Sequence, residues 1–219
     1  MPHHITQRGN RKQAIFFTDE DRVAYKDLIA LYARKTGTRC LAWCLMDNHV
    51  HLILVPPAED SLRAMLAASH TAYSQRINSL QGASGHLFQG RYASYPMDEA
   101  HLYVAARYVE NNPVKAGLVR QAEDWPWSSA RAHVSQQGDG LTDIAALGSH
   151  IGNWRSMLAQ GLEASDDPVE RATRSGLPMG AQGWVETLAE KLGRRLVPSK
   201  PGPKGPRKIK GQSLNYSQP

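Results

Sequence analysis

At 219 residues and 41% hydrophobic content, the chain can bury one substantial core with a small appendage. Its formal net charge of +6 and pI near 9.4 favour a polyanionic partner, nucleic acid before membrane. No apolar stretch approaches the ~20 residues of a membrane span, and MPHHITQRGN carries no apolar leader, so a soluble cytoplasmic chain is expected.

The charge is unevenly spread. Lys191, Arg194, Arg195, Lys200, Lys204, Arg207, Lys208 and Lys210 follow one another with no acid between Lys191 and Pro219; taking those eight from 26 Lys and Arg leaves 18 against 20 Asp and Glu. The body is therefore near neutral and the basic character belongs to the tail. Cys40 and Cys44 fall in one expected strand, on the same face and about 13 Å apart, too far for a disulfide, and read as reduced core residues.

In chain order, His3 to Gly9 is an expected first strand, Arg8-Gly9-Asn10 a turn, and Ala14 to Phe17 a return or extension. Thr18 with Asp21 forms a capping box for a helix carrying Tyr25, Leu28, Ile29 and Tyr32, ended by Gly37. Arg39 to Met46 and the run to Val55 read as a hairpin turning at Asp47-Asn48 and stopped by Pro56-Pro57. Ser61 is expected to cap a second helix bearing Leu62, Met65, Leu66, Tyr73 and Ile77; His86 to Tyr95 reads as a strand interrupted at Gly90. Asp98 caps a third helix to about Asn111, ended by Pro113.

The order β-α-β-β-α-β-α predicts an α+β fold, a ferredoxin-like or RRM-like antiparallel sheet with helices packed on one face. Three regions are expected: a main domain over 1–134, a helical C-terminal extension over 135–193, and a basic Pro/Gly-rich tail over 194–219 with too few apolar groups to pack. Trp125 and Trp127 read as core aromatics closing the main domain, with base stacking as the alternative.

The stretch with chemical content is DNHVHLILV. Strand side chains alternate, so His49 and His51 share a face with Ile53 and Val55, which is two thirds of a divalent-metal site or simply two surface histidines. RYVENNPVKAG places Tyr108 and Asn112 four apart on one helix face, where a phenol and an amide oxygen can join the imidazoles. Two imidazoles and a carboxamide with open positions suit Mg²⁺ or Mn²⁺ better than a closed zinc site. The histidines His3, His4, His86, His101 and His133 have no partner at ligand spacing, although His4 or His86 can lie near the pair in space. Of the eight tyrosines only Tyr108 has an Asn one turn on.

His49-Val50-His51 resembles the His-hydrophobic-His motif of HUH single-strand DNA endonucleases, and with Tyr108 and Asn112 their single-tyrosine transposase branch. ITQRGN, DNHVHL, HLFQGRY, RYVENNPVKAGLV and WPWSS more narrowly resemble the REP-associated tyrosine transposases, over residues 3 to about 134. One departure is Asp47, where that family commonly has proline. The resemblance implies the HUH fold, a Mg²⁺ or Mn²⁺ ion held by His49, His51 and Asn112 that polarises a scissile phosphate, and Tyr108 as the nucleophile forming a 5′-phosphotyrosine link. It also implies single-stranded DNA with REP-like hairpins as the substrate, and association with the nucleoid when DNA is bound. Arg8, Gln89, Arg91, Arg107 and the tail cations Lys200, Lys204, Arg207, Lys208 and Lys210 are candidate DNA contacts. Monomer and homodimer stay open, as do two rivals: a non-catalytic DNA-binding regulator on the same fold, and a metal hydrolase built on the His-Val-His pair.

Overall fold

The computed structural model describes residues 1–148, 151, 153–160 and 168–197. Its frame is a four-stranded antiparallel sheet in the order β2-β3-β1-β4, formed by β1 (His3–Arg8), β2 (Arg39–Met46), β3 (His49–Val55) and β4 (Ala93–Pro96). α1 (Asp19–Thr36), α2 (Ser61–Gln81) and α3 (Glu99–Lys115) complete the β-α-β-β-α-β-α order, followed by the short α4 (Ala130–Ser135), α5 (Ala145–Gly148), α6 (Trp154–Ala159), α7 (Pro168–Ser175) and the longer α8 (Gln182–Leu192). The ferredoxin-like expectation holds.

The local signals that set these elements are mostly those of the sequence. Thr18 and Asp21 form the reciprocal capping box of α1, and Gly37 closes it in the left-handed conformation at φ 68°. Four expectations need correction. Ser61 does not cap α2; the cap position is Asp60, with no side-chain bond. Residues 86–92 lie outside β4: Phe88 bridges Gly9, Gln89 N–H donates to Arg8 and Asn10 N–H to the Leu87 carbonyl, so the segment follows the β1 turn instead of the sheet. Ala14 to Phe17 forms no strand, because the N–H groups of Ile15 and Phe16 both go to the Asp47 carbonyl. Pro113 lies inside α3, which runs on to Lys115. Near a helix end a proline forfeits one internal N–H bond, and the Pro113 carbonyl still accepts from Leu118 N–H.

Helices cover both faces, not one. On the first face, α1 and α2 bury Tyr25, Ile29, Met65, Leu66 and Tyr73 against Ile5, Trp43, Leu45, Val50, Leu52 and Leu54. On the second, α3 lays Leu102, Ala105, Ala106 and Val109 against Leu41, Ala42, Cys44 and Ile53, with Trp154, Leu158 and Val169 packed round it. A register shift in β2 between Cys40 and Ala42 breaks the period-two pattern. Cys40 and Cys44 therefore serve opposite cores, contrary to the shared face expected; both are free and buried.

The outer edge of β2 is covered by the Trp125–Ser129 segment. Leu45 N–H donates to the Trp127 carbonyl at 2.8 Å, Ser129 N–H to the Trp43 carbonyl at 2.9 Å and Trp125 Nε1 to the Leu45 carbonyl at 3.2 Å. Trp125 packs on the second core and Trp127 on the first, as closing aromatics. Ser129 also joins a buried hub on α3. The Glu110 carboxylate, with no solvent exposure, accepts from Ser129 Oγ, from His133 Nδ1 at 2.6 Å and from Trp154 Nε1 at 2.6 Å. Asn111 Nδ2 donates to the Leu158 carbonyl at 2.8 Å and Lys115 pairs with Glu170. One helix is thereby tied to β2's flank and to the C-terminal helices.

Two substitutions test this frame. Gly9→Ala would set a Cβ 2.2 Å from the Gln13 carbonyl oxygen and 2.9 Å from Ile15 Cγ2, so a loss of about 2 kcal/mol or more is expected in urea unfolding. Glu110→Gln would aim an amide N–H at one of three donors; a loss of about 2–4 kcal/mol is expected by the same measurement, and an unchanged midpoint would contradict the hub.

Candidate functional site

β3 carries His49 and His51 to the second face, as the pleat requires, and the rings sit 4.9 Å apart between centroids at 82°. α3 crosses that face and sets the Tyr108 ring 5.8 Å from His51, edge-on. Asn112 lies one turn on, and its Nδ2 donates to the Tyr108 carbonyl at 3.0 Å, which leaves its Oδ1 uncommitted by that bond. Lys115 Nζ stands 5.4 Å from the Tyr108 ring centroid. Pro113's tolerance within α3 matters here, because it keeps Asn112 helical and on the tyrosine's face.

The protons can be placed by following the amide of Asn48. Its Nδ2 donates to the Lys12 carbonyl at 2.9 Å, so its Oδ1 is the acceptor facing His49 Nδ1 at 2.7 Å. His49 therefore carries its proton on Nδ1 and keeps a lone pair on Nε2. Burial lowers the His49 pKa to about 4, with the charge of Arg8 adding to the shift and Asp47 opposing it. Burial holds His51 well below the usual histidine value, helped by His4, His49 and Arg8. Both imidazoles are neutral at physiological pH, as ligands must be.

Behind this pair stands His4 on β1. Its Nε2 lies 2.9 Å from His51 Nδ1, its ring is nearly parallel to that of His51, and burial brings its pKa to about 3. The donor set of His49 Nε2, His51 and Asn112 Oδ1 fits a divalent ion that accepts mixed nitrogen and oxygen ligands. Among the described residues no group of three His, Cys, Asp or Glu could hold a metal, and Asn112 is the candidate third protein ligand.

The family model for IS200-like transposases matches residues 1–112, about half of the chain and all of the elements that carry the histidines, Tyr108 and Asn112. The chain belongs to this transposase family. A Haemophilus influenzae protein assigned as a REP-associated tyrosine transposase is 26% identical over 144 residues, covering 61% of this chain and 80% of that protein. Among solved structures, a REP-associated tyrosine transposase bound to a REP hairpin aligns at TM-score 0.48 and 21% identity, over 65% of this chain and 82% of that one. A Deinococcus radiodurans protein assigned as a transposase aligns at TM-score 0.39 and 22% identity, over 51% of this chain and 89% of that one.

In this IS200-like transposase, the other candidate residues do not gather at one place: Arg8 lies beside the histidines, and Gln89 and Arg91 line a separate cleft. Arg8 is exposed at the end of β1, opposite His49 in register, close enough to act on its charge. Gln89 and Arg91 are exposed and line a cleft of about 580 Å³ against α2, whose walls include neither histidine of the pair nor Tyr108. Arg107 is half-buried on α3. Lys200, Lys204, Arg207, Lys208 and Lys210 lie outside the described residues. Among the described residues no helix is long and apolar enough to cross a membrane.

Sequence reasoning did not single out Asn48 or Glu110 for roles at the site, and it named His4 only as a histidine that can lie near the pair in space, where the structure does place it. Asn48 reads as a turn residue, His4 becomes meaningful only through the register that pairs it with Ile53, and Glu110 looks like any helical acid.

The buried histidines set the acid limit of the fold. His4, His51 and His70 are all held below the ordinary value of 6.5 by burial. Below about pH 6.5 the unfolded chain takes up protons at these positions and the folded chain does not, so stability falls with falling pH. Urea midpoints measured from pH 7 to 5 should drop steadily, with each histidine contributing at most about 1.4 kcal/mol per pH unit. A flat profile would contradict the burial of these rings.

Proposed function

We propose that this transposase cleaves and rejoins single-stranded DNA at hairpin-flanked sites, with Tyr108 as nucleophile and a divalent Mg²⁺ or Mn²⁺ ion held by His49, His51 and Asn112. The observation that carries the reading is the approach of Tyr108 to His51 across the sheet–helix interface, 5.8 Å between rings, in a chain of the transposase family. A strand offers two neutral imidazoles on one face, and a helix offers a phenol and an amide one turn apart on the face opposed to it.

Bound there, the metal would act as a Lewis acid on a phosphate oxygen. His49 and His51 supply neutral nitrogen donors, and Asn112 supplies an oxygen while its own N–H group ties it to the helix. Tyr108 Oη attacks the scissile phosphorus, a P–O bond forms to the phenol, and the bond to the 3′ oxygen breaks. The phenol gives up its proton and the departing 3′ oxygen gains one, leaving a 5′-phosphotyrosine and a free 3′-hydroxyl. Attack by a 3′-hydroxyl on the phosphotyrosine reverses the step and joins the strands. Lys115 stands beside the ring, where attack generates negative charge.

Hairpin DNA as substrate is supported by the family assignment and by the similarity to a Haemophilus influenzae protein assigned as a REP-associated tyrosine transposase. The tail cations from Lys200 to Lys210 are suited to phosphates of a hairpin stem, a contact that weakens steeply with salt. A water-activating carboxylate, which a hydrolase would need, is not offered by Glu110, whose two oxygens are taken by three donors.

The test is a cleavage assay on labelled single-stranded DNA carrying REP-like hairpins, with Mg²⁺ or Mn²⁺. A covalent protein–DNA adduct is expected from the wild-type chain, and none from Tyr108→Phe. His49→Ala is expected to lower adduct formation by about 100-fold or more. Cleavage that survives Tyr108→Phe without an adduct would replace this reading by a hydrolase; binding without cleavage of any hairpin substrate would replace it by a regulator.

A further inference from the structure

We propose that His4 is a positioning residue for the metal ligand His51: by accepting the Nδ1 proton of His51, it leaves Nε2 of that ring with the lone pair a cation requires. This role presupposes that His49 and His51 hold a divalent ion, as proposed above, and assigns a function to a residue on a different strand.

A neutral imidazole has one proton for two nitrogens, so whichever nitrogen donates a hydrogen bond determines which one can bind a metal. For His49 the choice is made by Asn48, whose amide is locked by the Lys12 carbonyl and accepts from His49 Nδ1. For His51 the Nδ1 bond runs to His4 Nε2, at 2.9 Å between rings whose planes differ by 10°. Both rings are buried, His4 entirely and His51 to 6% exposure, so bulk water does not decide the matter.

Two proton arrangements satisfy that bond. In one, His4 Nε2–H donates to His51 Nδ1, which puts the remaining His51 proton on Nε2 and closes that nitrogen to a metal. In the other, His51 Nδ1–H donates to His4 Nε2, and His51 Nε2 is open. In the open arrangement the His4 proton sits on Nδ1, which is buried and without a hydrogen-bond partner among the described residues, a cost that the binding of a cation must offset. The binding of a cation selects the open one. Histidine suits the position because it can accept this proton while remaining neutral, whereas a carboxylate would bring an unpaired charge into a dry layer.

β1 makes the contact possible. It lies beside β3 in the sheet and places His4 opposite Ile53, two residues beyond His51 on the same face. The Tyr95 ring from β4 and the Tyr108 ring from α3 pack against His4 at 5.9 and 6.2 Å, enclosing it from the other sides.

The test is Mn²⁺ binding to the purified full chain without DNA, read from the electron paramagnetic resonance signal of free Mn²⁺. His4→Gln places an amide oxygen at the reach of the lost Nε2 and should bind within about threefold of wild type. His4→Leu, which offers no acceptor, and His4→Asn, whose amide is one carbon too short, should bind about 10- to 100-fold more weakly. Nitrogen-15 spectra of the metal-free variants give a second readout: the His51 proton should sit on Nδ1 in His4→Gln and on Nε2 in His4→Asn. The Gln and Asn variants are both polar and near in size, so a difference between them is not a packing effect. Equal affinity in wild type and all three variants, with binding abolished in His49→Ala, would overturn the role of His4 and leave the metal site standing. If the wild-type chain binds no Mn²⁺, the metal reading fails and the role of His4 fails with it.

Discussion

A carboxylate with no solvent exposure is the constraint on which the geometry of this site depends. Glu110 sits two residues beyond Tyr108 on α3 and meets three donors, from Ser129, His133 and Trp154. Moving a carboxylate out of water costs several kcal/mol, and charge-assisted hydrogen bonds offset that cost only when the geometry is good. The hub is therefore weak support for stability and strong support for position. If α3 rotated or slid by one residue, the carboxylate would lose its donors and be left as an uncompensated buried charge. The same displacement would swing Tyr108 away from His51. A structural penalty thus holds the Tyr108–His51 distance.

The histidines of the site are neutral. Its histidines have depressed pKa values because burial penalises their charged forms, and their hydrogen bonds run to an amide and to another imidazole instead of to carboxylates. Positive charge nearby comes from Arg8 and Lys115, at the margins. For the metal role proposed above, such a site would give a cation ligands without cancelling its charge, leaving that charge available to a bound phosphate. A site rich in carboxylates would hold the ion more tightly and polarise the substrate less.

The parts of this fold legible in the sequence are those whose causes are local. The hairpin strands β2 and β3 begin and end where their alternation and the Asp47-Asn48 turn place them, and the Thr18–Asp21 box starts α1 as expected. The parts that were not legible depend on partners distant in sequence. The register shift between Cys40 and Ala42 changes the faces of two cysteines, and only pairing with β3 reveals it. The His86–Arg91 stretch has strand-like composition but bonds to the turn at Arg8 to Asn10. Pro113 ends a helix in most contexts; here α3 runs past it because its place near the C-terminus costs little and packing on the second face holds the rest. His49, His51, Tyr108 and Asn112 were legible as two pairs, each by its own period. That the pairs face each other is tertiary information.

The two periods also explain why so few residues suffice. A strand repeats its face every two residues and a helix every three to four, so a strand laid against a helix can converge two pairs of side chains with no loop involved. Loops would have offered more freedom and less precision. The remaining freedom lies in ring protons and amide flips, and it is removed from behind: Asn48 fixes His49, and the Tyr108 carbonyl fixes the Asn112 amide. His51 is the one member whose outer partner is itself an imidazole with two proton arrangements. On the metal role proposed above, the site would thus be held by its hydrogen bonds and adjustable in protonation at one ring, so that it could be built before a cation arrives and still receive one.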